Sequence, residues 1–301
     1  GNRRPARRRV RSSPLRLPHR PVFPLKDNLP NDRFPIVTVL LIAANVLIYF
    51  LVQHGGIASG PSAAQIVDYG AIPYEVTHPE ADCGTRGRLV GGIPLVTGGT
   101  VVCEGERVQL QGGATATVAT VEEPGRANTW LTLVTSMFLH GSILHLLGNM
   151  LFLWIFGANV EDAMARWRYV LFYLLGGLAA IALQVAIEPD STVPTIGASG
   201  AIAAVLGGYI LLYPRARIVT VVFIILLFTI VELPAWLMLG LWFLEQAFVG
   251  ATSLGEVAGE AGGVAYFAHV GGFVFGLLTI KLFAQRRKHV PPRYGAPAVA
   301  P

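Results

Sequence analysis

The sequence predicts an all-α, polytopic membrane protein with six transmembrane helices and a small β-rich extracytoplasmic insertion. Apolar residues make up 53 % of the 301 residues, charged residues only 14 %, and the mean hydropathy is +0.55. A soluble domain of this size carries about a quarter charged residues. Several apolar runs also approach the roughly 20 residues that a helix needs to cross a bilayer.

The distribution of charge predicts the orientation of the chain. The first 20 residues contain eight arginines and no acid, the C-terminal tail is again basic, and the long segment between the first two apolar runs is rich in acids. Because Lys and Arg mark the cytoplasmic side, both termini are expected inside and the number of spans is even. This asymmetry accounts for the net charge of +5. We therefore expect no nucleic-acid partner, with a basic RNA-binding arm as the alternative.

Five regions follow one another along the chain. They are a basic disordered cytoplasmic arm (1–33), a first transmembrane helix (34–53), an extracytoplasmic insertion (54–128), a core with five further transmembrane helices (129–285) and a basic cytoplasmic tail (286–301).

The apolar runs set the predicted spans. Their approximate bounds are 36–52, 142–159, 169–187, 199–213, 234–249 and 264–283. One apolar run, 218–231, is left over, and counting it as a further span would put the basic tail outside. We interpret it as an interfacial or re-entrant hairpin.

The sequence of the insertion predicts a small β-structure. Its middle, 88–121, mixes Gly with alternating Val, Thr and Leu, which is typical of a hairpin or meander. The chain's two cysteines, Cys83 and Cys103, both lie in the insertion. In an extracytoplasmic compartment they would form a disulfide that contributes about 3 kcal/mol, and two free thiols are the alternative.

Four polar side chains stand out because polar groups inside membrane helices are costly and usually functional. His145 and Asn149 are four residues apart and share one face of the second predicted helix. Ser199 begins the fourth helix at its outer end, and His269 lies about 8 Å into the sixth. The helix directions place all four at a similar depth in the outer leaflet.

These residue types indicate nucleophilic catalysis. Ser199 begins an apolar helix, beside unpaired backbone N–H groups and the positive end of the helix dipole. His269 would act as general base, while Asn149, His145 and the Ser199 N–H would stabilise an oxyanion. Since no carboxylate lies at a matching depth, we expect a dyad. Each residue also has a structural alternative. Ser199 alone would be an N-cap serine on a membrane helix, and the alternatives are interhelical hydrogen bonds for His145 and Asn149 and a satisfied bundle histidine for His269.

Small residues in two of the predicted helices favour close packing between them, because a small residue at every fourth position lets backbones approach. The stripes are Gly200, Ala204 and Gly208 in the fourth helix, and Ala268, Gly272 and Gly276 in the sixth.

Two competing chemistries fit less well. A zinc site built from His140, His145 and His269 lacks a His-Glu-x-x-His helix and any nearby thiolate. A soluble hydrolase would need a strand before the serine. We expect no metal and no cofactor.

Three segments, 140–150, 197–201 and 268–276, resemble the motifs of rhomboid intramembrane serine proteases. The resemblance covers about residues 130–283 and extends more loosely to the first span. It implies a six-helix rhomboid-like bundle with a water-filled cavity open to the outside. It also implies Ser199 and His269 as the catalytic dyad, with His145 and Asn149 at the oxyanion site. Substrates would be single-span membrane proteins cut near the outer end of their span.

The fifth predicted span, with Pro234, Trp236 and Trp242, resembles the lateral gate of that family. Two positions depart from the family pattern. Ala203 stands where some members have an aromatic residue that packs on the catalytic histidine, and Trp130 is followed by leucine instead of arginine.

Two other classes of function remain as alternatives to a protease in the lipid bilayer. A non-catalytic rhomboid-like protein that binds membrane clients usually lacks the serine or the histidine, and this chain has both. A small-solute transporter would show internal repeats and polar residues at the bilayer midplane. The charge pattern suits a bacterial plasma membrane, and the sequence leaves the oligomeric state open.

Overall fold

The computed structural model describes residues 22–96, 101–110, 114–121, 127–224, 227–253 and 264–286. The helices in this part of the chain are α1 (Ile36–Leu47), α2 (Ala63–Tyr69), α3 (Pro73–Thr77), α4 (Thr129–Thr135), α5 (Ile143–Phe152), α6 (Ala158–Asp162), α7 (Arg166–Ile187), α8 (Ser199–Leu212), α9 (Ala235–Ser253) and α10 (Tyr266–Phe283). The strands are β1 (Val22–Asp27), β2 (Cys83–Gly84), β3 (Arg86–Leu89), β4 (Pro94–Val96), β5 (Val102–Cys103), β6 (Arg107–Gln109), β7 (Thr115–Val121), β8 (Arg217–Ile224) and β9 (Leu227–Pro234).

Short π-helical and 3₁₀ segments extend several of these helices. A π-segment carries α1 on to Val52, another joins α5 to α6, and a 3₁₀ turn carries α4 on to Phe138. The joined helices are Ile36–Val52, Ile143–Asp162 and Thr129–Phe138.

Four helices in the described residues are long and apolar enough to cross a membrane: Ile143–Asp162, α7, α9 and α10. Ile36–Val52, Thr129–Phe138 and α8 are apolar but shorter. The protein is therefore a mostly helical integral membrane protein. The predicted count of six spans needs Ile36–Val52 and α8 as well, and it stays a prediction.

Helix α8 is the centre of the bundle. It has 14 residues, most of them buried, so its surface faces other helices almost all round. Gly272 and Gly276 of α10 lie against the carbonyl oxygens of Gly200 and Ala204, where a Cβ atom would clash. The backbones of α8 and α10 therefore approach as closely as the absence of side chains allows.

An antiparallel sheet, β1–β8–β9, corrects the all-α expectation. The described residues of the run 218–231 lie in the antiparallel strands β8 and β9, where β-branched Ile, Val and Thr favour strands, and residues 225 and 226 lie outside the described part. The sequence predicts an interfacial or re-entrant hairpin for this run. Because a sheet with open edges cannot satisfy its backbone groups in lipid, this pairing favours the interfacial position, which stays a prediction.

Strand β1 also shows that the arm expected to be disordered up to residue 33 contains an ordered part. Asp27 at the end of β1 accepts hydrogen bonds from Tyr209 Oη at 2.6 Å and from Asn159 Nδ2 at 2.7 Å. These bonds connect the strand to the helical core. Because the partners are more than 100 residues away, the Arg- and Pro-rich composition of the segment does not predict them. Residues 1–21 and the tail from 287 onward lie outside the described residues.

In the described residues of the insertion there are two small sheets, with strand orders β2–β5 and β4–β3–β7–β6. A disulfide joins Cys83 and Cys103, which face each other in β2 and β5. The side chains of Val67, Ile72 and Val101 pack around it. The position of the insertion outside the cytoplasm stays a prediction.

The insertion contacts the segment that precedes α8. Ala71 and Thr195 form an antiparallel bridge, and the Tyr74 backbone N–H donates to the Ser191 carbonyl at 3.0 Å. The insertion therefore packs directly on the loop that leads to Ser199.

Candidate active site

Ser199 and His269 form a hydrogen bond in the structure. Ser199 is the first residue of α8, and His269 lies in the first turn of α10. The Ser199 Oγ is 2.8 Å from His269 Nε2. The close packing of α8 on α10 at Gly200 and Gly272 sets this distance, since both side chains project from the turns next to that contact.

The other ring nitrogen of His269 bonds to Gln246 on α9. The Nδ1–Oε1 distance is 2.6 Å, and an amide oxygen can only accept. In the neutral ring Nδ1 therefore carries the proton, which leaves Nε2 free to accept the Ser199 hydroxyl proton. The sequence analysis did not find Gln246. The available signal was the polar pair Glu245 and Gln246 within a mostly apolar helix.

An aromatic ring from α9 also covers His269. The ring centroids of Trp242 and His269 are 5.8 Å apart, with the planes tilted by 37°. Ala203, where some relatives were expected to have the aromatic residue, is completely buried between helices. The aromatic partner of the histidine thus comes from α9 instead of α8.

His145 and Asn149 of α5 line the same cavity as Ser199 and His269. This cavity has a volume of about 570 Å³ and apolar walls from several helices. The Asn149 side chain is buried, and its Nδ2 has no hydrogen-bond partner among the described residues. An unpaired buried amide donor is costly, so it is available to a ligand or reacting atom in the cavity. The four side chains singled out in the sequence therefore meet at one site.

Gly197 leaves an open space between His145 and Ser199. Its φ is +118°, and its N–H donates to the Ser136 carbonyl at 2.9 Å. A Cβ at this position would lie 2.9 Å from His145 Nε2 and 3.5 Å from the Ser199 Oγ. One atom-sized volume thus separates the imidazole from the hydroxyl.

His140 is buried behind the site. Its backbone exchanges two hydrogen bonds with the Gln53 side chain, and its ring lies edge-on to His145 with centroids 5.1 Å apart. Burial, with a smaller effect of His145, lowers the pKa of His140 to about 3, which keeps its ring neutral. Within the described ranges, no three His, Cys, Asp or Glu side chains form a group that could hold a metal ion.

Comparison with known proteins shows the family of the chain. Residues 127–286, over half of the chain and including all of these helices from α4 onward, match the family model of the Rhomboid domain. The chain belongs to the rhomboid family.

Curated relatives include a protein named as a rhomboid protease and proteins named only as rhomboid or rhomboid-like. Presenilin-associated rhomboid-like protein A, mitochondrial, of Danio rerio is 27% identical over 162 residues, which are 52% of this chain and 38% of the relative. Rhomboid protease GluP of Bacillus subtilis is 34% identical over 106 residues, 33% of this chain and 20% of the relative. Rhomboid protein 1, mitochondrial, of Saccharomyces cerevisiae is 29% identical over 152 residues, 49% and 40%. The matches thus span less than half the length of these relatives.

Proposed function

We propose that this rhomboid is an intramembrane serine endopeptidase that hydrolyses peptide bonds in or near the transmembrane segments of other membrane proteins. One observation carries the proposal: the 2.8 Å hydrogen bond between Ser199 Oγ and His269 Nε2 at the edge of a cavity. A serine is a weak nucleophile until a base within hydrogen-bond reach removes its proton.

In the proposed acylation step, Ser199 Oγ attacks the carbonyl carbon while its proton moves to His269 Nε2. The carbonyl π-electrons move to the oxygen and create an oxyanion. Collapse of this intermediate breaks the C–N bond, and the leaving amine takes the proton from Nε2. Water then attacks the acyl-enzyme with His269 again as base, which releases the new carboxyl terminus and regenerates Ser199.

We assign oxyanion stabilisation to Asn149, His145 and the Ser199 backbone N–H. The unpaired Asn149 Nδ2 and the open space beside Gly197 support this assignment, because preorganised donors stabilise developing charge. The N-terminus of α8 contributes the positive end of its dipole at the same place.

The proposed topology has six spans, with Ile36–Val52 and α8 added to the four longer helices. At 14 residues, α8 covers about 21 Å, less than the roughly 30 Å of hydrocarbon in a bilayer. A helix surrounded by protein can end within the membrane, and this would place Ser199 below the surface with the cavity supplying water. Single-span proteins are the substrates that could reach this depth from the lipid.

We also propose a bacterial plasma membrane with both termini in the cytoplasm, on the basis of the basic ends of the chain. The comparisons do not carry this placement, since two of the relatives are named as mitochondrial.

The proposal is tested with purified protein in proteoliposomes and a panel of single-span reporter proteins. Wild type, Ser199→Ala and His269→Ala are compared at equal amounts of folded protein. We expect cleavage by wild type and a loss of at least about 10³-fold in both variants, because a nucleophile and its base act as one unit.

Reporter cleavage by the Ser199→Ala variant would contradict the serine mechanism. If wild type bound reporters but cut none of them, the result would favour the alternative function, a non-catalytic membrane client-binding protein.

A further inference from the structure

We propose that Gln246 is a positioning residue for His269, in the place that a carboxylate takes in a Ser-His-Asp triad. The inference rests on the proposed function and extends the expected dyad to a third side chain. It is carried by the contacts of one buried amide on α9.

Gln246 is held in one orientation from both sides. Its side chain is buried, and its Oε1 lies 2.6 Å from His269 Nδ1. Its Nε2 donates to the carboxylate of Glu245 at 3.3 Å, on the more exposed side of the helix. Because the NH₂ group faces a carboxylate, the amide oxygen faces the imidazole.

This orientation selects the productive form of the histidine. A neutral imidazole has two tautomers, and only the form with the proton on Nδ1 offers a lone pair at Nε2 to the serine. The oxygen of Gln246 accepts from Nδ1–H and gives the opposite tautomer no hydrogen bond. It also fixes the rotation of the ring towards Ser199.

A neutral amide suits this depth better than a carboxylate does. Removing a carboxylate from water inside a membrane protein is costly unless it is fully paired. An amide oxygen orients the ring at a much smaller desolvation cost. The histidine is therefore oriented without an added charge in the bundle.

The same face of α9 supplies a second contact to the ring. Trp242 precedes Gln246 by four residues, so both project from one side of the helix. Trp242 lies against the imidazole with centroids 5.8 Å apart. The position of α9 thus determines both the hydrogen bond and the packing of His269.

The test compares Gln246→Met with Gln246→Glu in proteoliposomes, with kcat and KM measured on one single-span reporter. Methionine keeps the length of the side chain but has no acceptor oxygen, whereas glutamate keeps the acceptor. We expect Gln246→Met to lower kcat at least about tenfold with KM nearly unchanged. Gln246→Glu should lose less kcat than Gln246→Met, because it keeps the acceptor for His269 Nδ1–H, although its second oxygen faces the Glu245 carboxylate. If Gln246 contributed only packing, kcat would not be higher in Gln246→Glu than in Gln246→Met.

Gln184→Met is the matched control. Gln184 is also buried and also bonds to α10, but through the backbone N–H of Ala268 at 3.2 Å and not through the ring. We expect its kcat to stay within about threefold of wild type. Equal losses of kcat in Gln184→Met and Gln246→Met, or wild-type kcat in Gln246→Met, would overturn the inference.

Labelling of Ser199 by a fluorophosphonate separates this inference from the endopeptidase proposal, because the reagent reports serine reactivity without a protein substrate. One outcome is that wild type cleaves no reporter while Ser199 is labelled more slowly in Gln246→Met than in wild type. That result would reject the endopeptidase function and support the positioning role. Cleavage and labelling by Gln246→Met at wild-type rates would remove only the positioning role.

Discussion

Gly197 shows how a single residue shapes the proposed site. Its positive φ is a conformation that side chains with a Cβ rarely adopt, and its missing Cβ leaves the space between His145 and Ser199. The oxyanion of the proposed mechanism needs this space and the donors around it.

We predict that Gly197→Ala lowers kcat by about 100-fold or more, because the new methyl group displaces His145 and disturbs oxyanion stabilisation. The backbone strain adds a destabilisation of about 1–3 kcal/mol. Reporter cleavage and thermal unfolding in the same lipid measure the two effects.

Gly91→Ala is the control for strain alone. Gly91 has a φ of +101°, but no atom lies within 4 Å of its Cβ position. The control should lose stability and keep its kcat. A Gly197→Ala variant with the same kcat as Gly91→Ala would contradict the role given to this space.

The sequence could name Ser199, His269, His145 and Asn149 because their depth follows from helix directions and residue spacing. Gln246 could not be named in the same way. Helix α9 is apolar on most sides, so the sequence gives no reliable rotation about its axis, and which of Glu245 and Gln246 faces the histidine depends on packing.

The packing of α8 on α10 is the central feature at the level of secondary-structure elements. Glycines of one helix lie on the carbonyl oxygens of the other, and the Ser199–His269 bond sits at the end of this contact. The separation of two backbones thus determines the distance between two side chains.

We predict that Gly276→Ala destabilises the protein by about 1–3 kcal/mol, since its methyl group would meet the carbonyl of Ala204. Cleavage should fall as well, because the helices must separate near the site. Thermal unfolding and reporter cleavage in lipid measure both.

Gly240→Ala on α9 is the matched control, since no neighbouring atom lies within 4 Å of its Cβ position. It should be neutral, or stabilising by up to about 1 kcal/mol. Similar effects of Gly276→Ala and Gly240→Ala would show that close packing of α8 on α10 is not what holds the bundle.

Elements that depend on local pattern were predictable from the sequence, and those that depend on distant partners were not. Apolar runs placed the helices near their observed bounds: the run 264–283 compares with α10 at Tyr266–Phe283. The β1–β8 pairing joins Val22–Asp27 to a strand nearly 200 residues later. The residue pattern around Val22–Asp27 does not predict this partner.

At the scale of the whole molecule, three parts converge on the loop and helix that carry Ser199. Helix α10 supplies His269, and α9 supplies Gln246 and Trp242. The insertion contacts the loop before α8 through the Ala71–Thr195 bridge. The disulfide holds the insertion together beside that loop. The proposed nucleophile thus depends on regions that are far apart in the chain.

Mass-spectrometric mapping of the fluorophosphonate adduct on the folded protein in lipid would identify the reactive side chain. A serine activated by His269 forms a covalent phosphonyl ester, so we expect one adduct, on Ser199, and little labelling of His269→Ala. An adduct on another residue, or unchanged labelling of Ser199 in His269→Ala, would show that Ser199 is not activated by His269.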